Sequence, residues 1–152
     1  MPRQSAGILL YRLRKGNPEV FLVHPGGPFW AKKDLGAWSI PKGEFEEGEN
    51  SLEAAKREFQ EETGYVPTGD FISLGSVKQT SGKIIHAWAA QGELDPEKIT
   101  SNTFSLEWPP KSGQYREFPE VDRGEWFPLD RALEKINKTQ KELIEKFQIL
   151  HF

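Results

Sequence analysis

The amino-acid sequence predicts an α+β fold, an α/β/α sandwich in which helices pack on the faces of a mixed β-sheet. Three observations lead there. Short segments of alternating apolar residues are bounded by Gly, Pro and Asn, the pattern of strands and hairpins. Segments in the middle and at the end of the chain repeat apolar residues at helical spacing. The two kinds are mixed without regular strand–helix alternation, which favours a mixed sheet over an all-parallel one. The 152 residues are expected to form one domain, 1–152, around one core.

Ser5 to Leu13 reads as a strand and Val20 to His24 as its hairpin partner, with Lys15-Gly16-Asn17-Pro18 as the turn. Trp38 to Ile40 reads as a short strand stopped by Pro41, followed by a tight loop from Lys42 to Glu49 containing Gly43 and Gly48. Ser51 to Thr63 reads as a helix. Asn50 can cap it, with Glu53 three residues on, and Gly64 ends it. Phe71 to Thr80 and Lys83 to Gln91 form a strand pair around Ser81-Gly82. Gly92 to Glu120 is long, contains Pro and is weakly patterned. Val121 to Phe127 is a last strand, and Leu129 to Ile136 and Gln140 to Ile149 are amphipathic helices.

Composition narrows the chemistry. Cys is absent, which removes disulfides, thiolate metal sites and cysteine nucleophiles. The apolar run Ala6 to Leu10 is too short for a membrane span or a signal segment, so a cytoplasmic location is expected. A net charge of −3 gives no global footprint for nucleic acid, although Lys32, Lys33 and Lys42 could make a local patch. Between Lys42 and Glu62 stand eight Glu against Lys42, Lys56 and Arg57. An acidic cluster that dense either faces water or holds a cation.

The helix separates these alternatives. Leu52, Ala55 and Phe59 share a stripe that can anchor it to a sheet. Glu58, Glu61 and Glu62 share an adjacent arc, with the small Ala54 in its middle leaving space. The like-charged pair Glu58 and Glu62 costs roughly 0.2–0.5 kcal/mol on an isolated helix. A divalent cation reverses that sign, and carboxylate oxygens suit Mg²⁺ or Mn²⁺. Arg57 can brace Glu61, and Lys42 in the preceding loop is placed to meet phosphate. A Glu-rich helix face is usually just solvated. Here the loop before it matters, because Gly43 and Gly48 let backbone groups approach a ligand.

Gly43 to Tyr65, GEFEEGENSLEAAKREFQEETGY, resembles a complete Nudix box: Gly, five residues, Glu49, seven residues, Arg57-Glu58, an apolar residue, any residue, Glu61-Glu62, any residue, Gly64 and an apolar residue. Phe59 and Tyr65 are aromatic where the pattern more often has an aliphatic residue. The resemblance implies a Nudix fold and a hydrolase of phosphoanhydride bonds in nucleoside-diphosphate-linked substrates. It implies Mg²⁺ or Mn²⁺ held by Glu58, Glu61 and Glu62 with a carbonyl near Lys42 or Gly43. Arg57 would orient a catalytic Glu, and Glu49 would support the loop. The general base is expected to be Glu58 or, from outside the box, Glu120, with Glu117 and Glu107 as weaker candidates.

Trp38 and Trp126 read as core residues, and His86 reads as a structural strand residue more than a ligand-binding one. Trp108 and Tyr115, with Trp30 and Phe104, lie in loops where they could stack on a base. The Gly92–Glu120 segment is thus expected to cover the substrate. Trp38-Ser39-Ile40-Pro41-Lys42-Gly43 resembles the box entry of diadenosine polyphosphate and diphosphoinositol polyphosphate hydrolases, and less closely that of RNA 5′-end pyrophosphohydrolases. Glu44 stands where the diadenosine enzymes commonly have His. The expected partner is therefore a small nucleotide, either a dinucleoside polyphosphate or a nucleoside triphosphate. RNA 5′-end or diphosphoinositol hydrolysis and a silent nucleotide-binding module are the alternatives. A silent module should have lost one of the three glutamates, and this chain keeps them all.

Overall fold

The computed structural model describes residues 3–151. Strands β1 (Gln4–Arg14) and β2 (Asn17–Pro25) form the first hairpin. Its two turn residues, Lys15 and Gly16, both have positive φ, +53° and +80°. That geometry matches the right-handed twist of the flanking strands. β3 (Lys42–Glu44), β4 (Ile72–Lys78), β5 (Ile84–Gln91) and β8 (Val121–Pro128) complete the main sheet, in the order β4-β5-β1-β2-β8 with β3 also paired to β1. β1 runs parallel to β5 and antiparallel to β2 and β3. One edge of β1 is shared end to end. Tyr11–Arg14 pair with β2, and Ser5–Gly7 pair with β3. Beyond Val20, β2 leaves β1, and β3 enters the gap that opens. That splay sets β3 beneath the helix α1 (Ser51–Thr63).

Both faces of β1 are covered, which explains its unbroken apolar run from Ile8 to Leu10. Ala6, Ile8 and Leu10 pack with Ala54, Ala55 and Phe59 of α1. Leu9 belongs to the opposite cluster, with Ala132, Ile136, Leu143, Ile144 and Phe147 from α2 (Leu129–Lys135) through α3 (Lys141–His151). The layers are helix, sheet and two helices, as the sequence predicts. Burying Phe59 alone is worth about 1.5–3 kcal/mol, enough to hold α1 against its own charge repulsion.

Three stretches differ from expectation. Trp38–Ile40 makes isolated bridges instead of a strand. The Trp38 N–H donates to the Lys135 carbonyl and its carbonyl accepts from Asn137, while Ser39 pairs with Val23. A backbone shared between β2 and the end of α2 cannot continue a ladder. Lys42–Glu44, expected within a loop, is β3, because β1 offers an unpaired edge there. Gly92–Glu120 contains a 3-10 turn at Pro96–Lys98 and a second sheet made of β6 (Thr103–Glu107) and β7 (Tyr115–Pro119). Phe104 faces Phe118 across that hairpin.

Candidate active site

α1 starts and stops as its ends dictate. The Asn50 side chain accepts from the Glu53 N–H at 3.1 Å. Gly64, at φ +82°, sends its N–H back to the Gln60 carbonyl. Ala55 and Phe59 are buried and Leu52 is half-buried, as the stripe requires. Ala54 is fully buried in the core cluster and leaves no space among the carboxylates. Its neighbour across the layer is the sheet itself, so the small residue serves close helix–sheet approach.

The carboxylates of Glu58, Glu61 and Glu62 line a cavity of about 310 Å³. Lys42, Gly43 and Glu44 of β3 form one wall, with Ser5 of β1 behind them; Lys83, Asn102 and Glu120 complete it. A Cβ added at Gly43 would fall on the Glu58 carboxylate. The missing side chain is therefore what lets Glu58 lie over bare β3 backbone. Arg57 sits at the rim. Its Nε and Nη2 donate to Glu49 at 3.2 and 3.3 Å, and its Nη1 donates to Glu58 at 2.9 Å and Glu61 at 3.4 Å. One guanidinium thus ties the loop glutamate to two helix glutamates.

Burial pushes the Glu62 carboxyl up to about 8, with Glu58 and Glu120 adding repulsion and Lys42 opposing it. Burial also raises Glu58, helped by Glu61 and opposed by Arg57, and burial lowers Lys42. A carboxylate raised on folding favours the folded state while protonated. Its contribution to the metal-free protein is complete below 4.5, the ordinary value, and is lost as pH rises to about 8. The melting temperature in a chelator should fall across that window, and Glu62→Gln should flatten much of the fall, with Glu58 supplying the remainder. Parallel profiles for the two proteins would show that Glu62 is not the strained group.

These donors fit a hard divalent cation. They are all oxygen, they repel one another, and they adjoin a backbone free of side chain at Gly43. Among the described residues no three carboxylates converge closely enough to hold an ion as they stand.

Glu120 reaches this site by a backbone route. Asn102 donates its N–H to the Glu61 carbonyl at 3.1 Å, and Glu120 donates to the Asn102 carbonyl at 2.8 Å. Gly26 donates to the Glu120 carbonyl at 2.9 Å. A Cβ at Gly26 would fall on the Pro119 carbonyl. Gly26→Ala should therefore displace Glu120, lowering stability by about 1–3 kcal/mol and slowing turnover in the folded fraction. Wild-type turnover and melting in that variant would refute the close packing.

The structure brings Lys42, Gly43, Glu58, Glu61, Glu62 and Glu120 together around the cavity, with Arg57 at its rim. It does not bring Trp108 and Tyr115 there. Trp108 packs edge-on against Phe29 at 5.6 Å, and Tyr115 is 69% exposed; neither lines the cavity. Glu117 accepts from Thr103 and Glu107 accepts from the Lys111 N–H, so both are engaged within the hairpin. The sequence reading missed Ser5, Lys83 and Asn102. It also missed a second cavity of about 680 Å³ that shares Glu44 with the first and includes Phe45, Gln4 and His86. His86 bonds Gln4 at 2.8 Å and meets the Phe45 ring edge-on at 6.0 Å. Strand alternation could have paired Gln4 with His86, had the parallel β1–β5 register been known.

No helix among the described residues is long and apolar enough to cross a membrane. A family model described as the NUDIX domain matches residues 1–147. The RNA pyrophosphohydrolase of Rhizobium meliloti (strain 1021) is 31% identical over 134 residues, covering 78% of this chain and 68% of that protein. The octanoyltransferase of Myxococcus xanthus is 33% identical over 102 residues, and the match spans only 25% of that protein's length. In three dimensions a C. elegans Ap4A hydrolase in a binary complex superposes with a TM-score of 0.67 at 22% identity, covering 97% of this chain and 96% of the other. The chain belongs to the Nudix family of hydrolases.

Proposed function

We propose that the protein hydrolyses a phosphoanhydride bond in a nucleoside polyphosphate, with Mg²⁺ or Mn²⁺ held by Glu58, Glu61 and Glu62 and the Gly43 carbonyl. The observation that carries this reading is the cavity where those carboxylates meet Lys42 and Glu120. Bound ions would neutralise the diphosphate and acidify a water molecule. Lys42 adds positive charge beside the phosphates. Arg57 holds Glu58 and Glu61 in place. Glu120 is the better base: among the described residues its side chain makes no hydrogen bond or ion pair, whereas Glu58 is engaged by Arg57. Its carboxylate takes the proton of the attacking water as the bond from phosphorus to the leaving phosphate oxygen breaks.

The larger cavity, with Phe45 and His86 in its wall, has the volume of a small-molecule pocket and would take the nucleoside. A dinucleoside polyphosphate or a nucleoside triphosphate fits this pair of cavities. An RNA 5′-triphosphate end is the second reading, favoured by the relative named RNA pyrophosphohydrolase. A product screen over nucleoside triphosphates, dinucleoside polyphosphates, nucleotide sugars and 5′-triphosphorylated RNA, with each metal, tests both. No turnover of any of them would refute the reading.

Trp108 and Tyr115 stand outside both cavities, so a direct substrate role would require the β6–β7 hairpin to move. Trp108→Ala should lower the melting temperature through its lost contact with Phe29 and leave KM unchanged. A raised KM at unchanged stability would restore the covering role of the hairpin.

A further inference from the structure

We infer that Ser5 is a substrate-binding residue whose hydroxyl, with the Lys83 ammonium, receives a phosphate oxygen of the diphosphate moiety. This rests on reading the cavity as a phosphoanhydride hydrolase site. Ser5 is 1% exposed, and its Oγ is buried with no hydrogen-bond partner among the described residues. Buried polar atoms are nearly always paired, because desolvation without a partner is unfavourable. An orphan hydroxyl in the wall of a cavity therefore calls for a ligand.

The surroundings select that ligand. Alternation along β1 directs Ala6, Ile8 and Leu10 toward α1 and puts Ser5 on the other face with Leu9. There its cross-strand partner in β3 is Glu44, and Lys42 stands opposite Gly7. Lys83 lies just ahead of Ile85, the β5 partner of Ser5, and its Nζ is 3.3 Å from Glu44. Two ammonium groups donate and attract negative charge, while the hydroxyl has a proton to give. A phosphate oxygen satisfies all three groups. Glu44 occupies Lys83 in the free protein and is half-exposed, so it can turn outward as the phosphate enters. The α1 carboxylates of Glu58, Glu61 and Glu62 line the same cavity.

Titration calorimetry with methylenediphosphonate, a diphosphate that water cannot cleave, tests the assignment in the presence of Mg²⁺. Ser5→Ala should weaken its binding about five- to tenfold, the worth of one hydrogen bond. Lys83→Gln should weaken it as well, and the two effects should be non-additive if the groups share one oxygen. The ligand-free melting temperature of Ser5→Ala should stay level or rise, since an unpaired buried hydroxyl is removed. Unchanged affinity in a folded Ser5→Ala protein overturns the inference, and so does a lowered melting temperature with unchanged affinity. A wild-type protein that cleaves nucleotides yet binds no methylenediphosphonate overturns it while leaving the proposed function standing. A wild-type protein that does neither removes both.

Discussion

Replacing Glu61 or Glu62 by Gln should each lower turnover by at least about a hundredfold. Changes one shell beyond a metal's ligands already cost roughly 10–100-fold, and loss of a ligand's charge should exceed that. The two variants should differ in stability. Glu62 is pushed up to about 8 by burial and by its acidic neighbours, so Glu62→Gln removes a strained charge. Above that pH the metal-free variant should melt higher than wild type. Glu61 is bonded to Arg57, and Glu61→Gln should leave melting nearly unchanged. Mg²⁺ should raise the melting temperature of wild type by mass action and raise that of either variant less. Near-wild-type turnover in both, on an identified substrate, would exclude this helix face as the metal site.

Arg57→Lys should also fail, by about 10–100-fold in turnover, with little change in KM. The guanidinium engages Glu49 through two nitrogens and reaches Glu58 and Glu61 through a third. A lysine has one nitrogen and no planar fork, so it can satisfy one of these carboxylates at a time. Its positive charge is preserved, which makes the comparison with Arg57→Ala informative. If the arginine acted only as a surface charge, Lys would restore activity and Ala would not. If it holds geometry, both fail alike.

The parts legible in sequence were those set by local rules. The helix from Ser51 to Thr63, its Asn50 cap and its Gly64 terminus follow from side chains within one turn of each end. The seven cavity and rim residues from Lys42 to Glu62 and Glu120 follow from the box and from its strand entry. What was hidden depends on non-local pairing. β3 exists because β2 leaves part of β1 unpaired, a fact of register. Ser5 and Lys83 meet the site because β1 lies between β3 and β5, though they are separated in sequence by most of the sheet. Ala54 was misjudged because a helical arc drawn in isolation does not show how deeply the helix sinks into the sheet. The β6–β7 hairpin was present as alternation at Phe104 and Leu106 but masked by the neighbouring prolines.

Both ends of that hairpin are fastened: Asn102 to the Glu61 carbonyl, and Glu120 to Asn102 and Gly26. No residue of the stretch between Glu107 and Tyr115, by contrast, lines either cavity. Lengthening such a stretch is thermodynamically mild, since each doubling of a flexible loop adds only about 0.6 kcal/mol. The fold thereby offers a grafting point: new residues can be spliced into the tip while the anchored feet keep the carboxylate in register. Descendants of this scaffold could acquire new contact surfaces by exchanging the tip alone, and a designer could do the same without redrawing the cavity that holds the carboxylates.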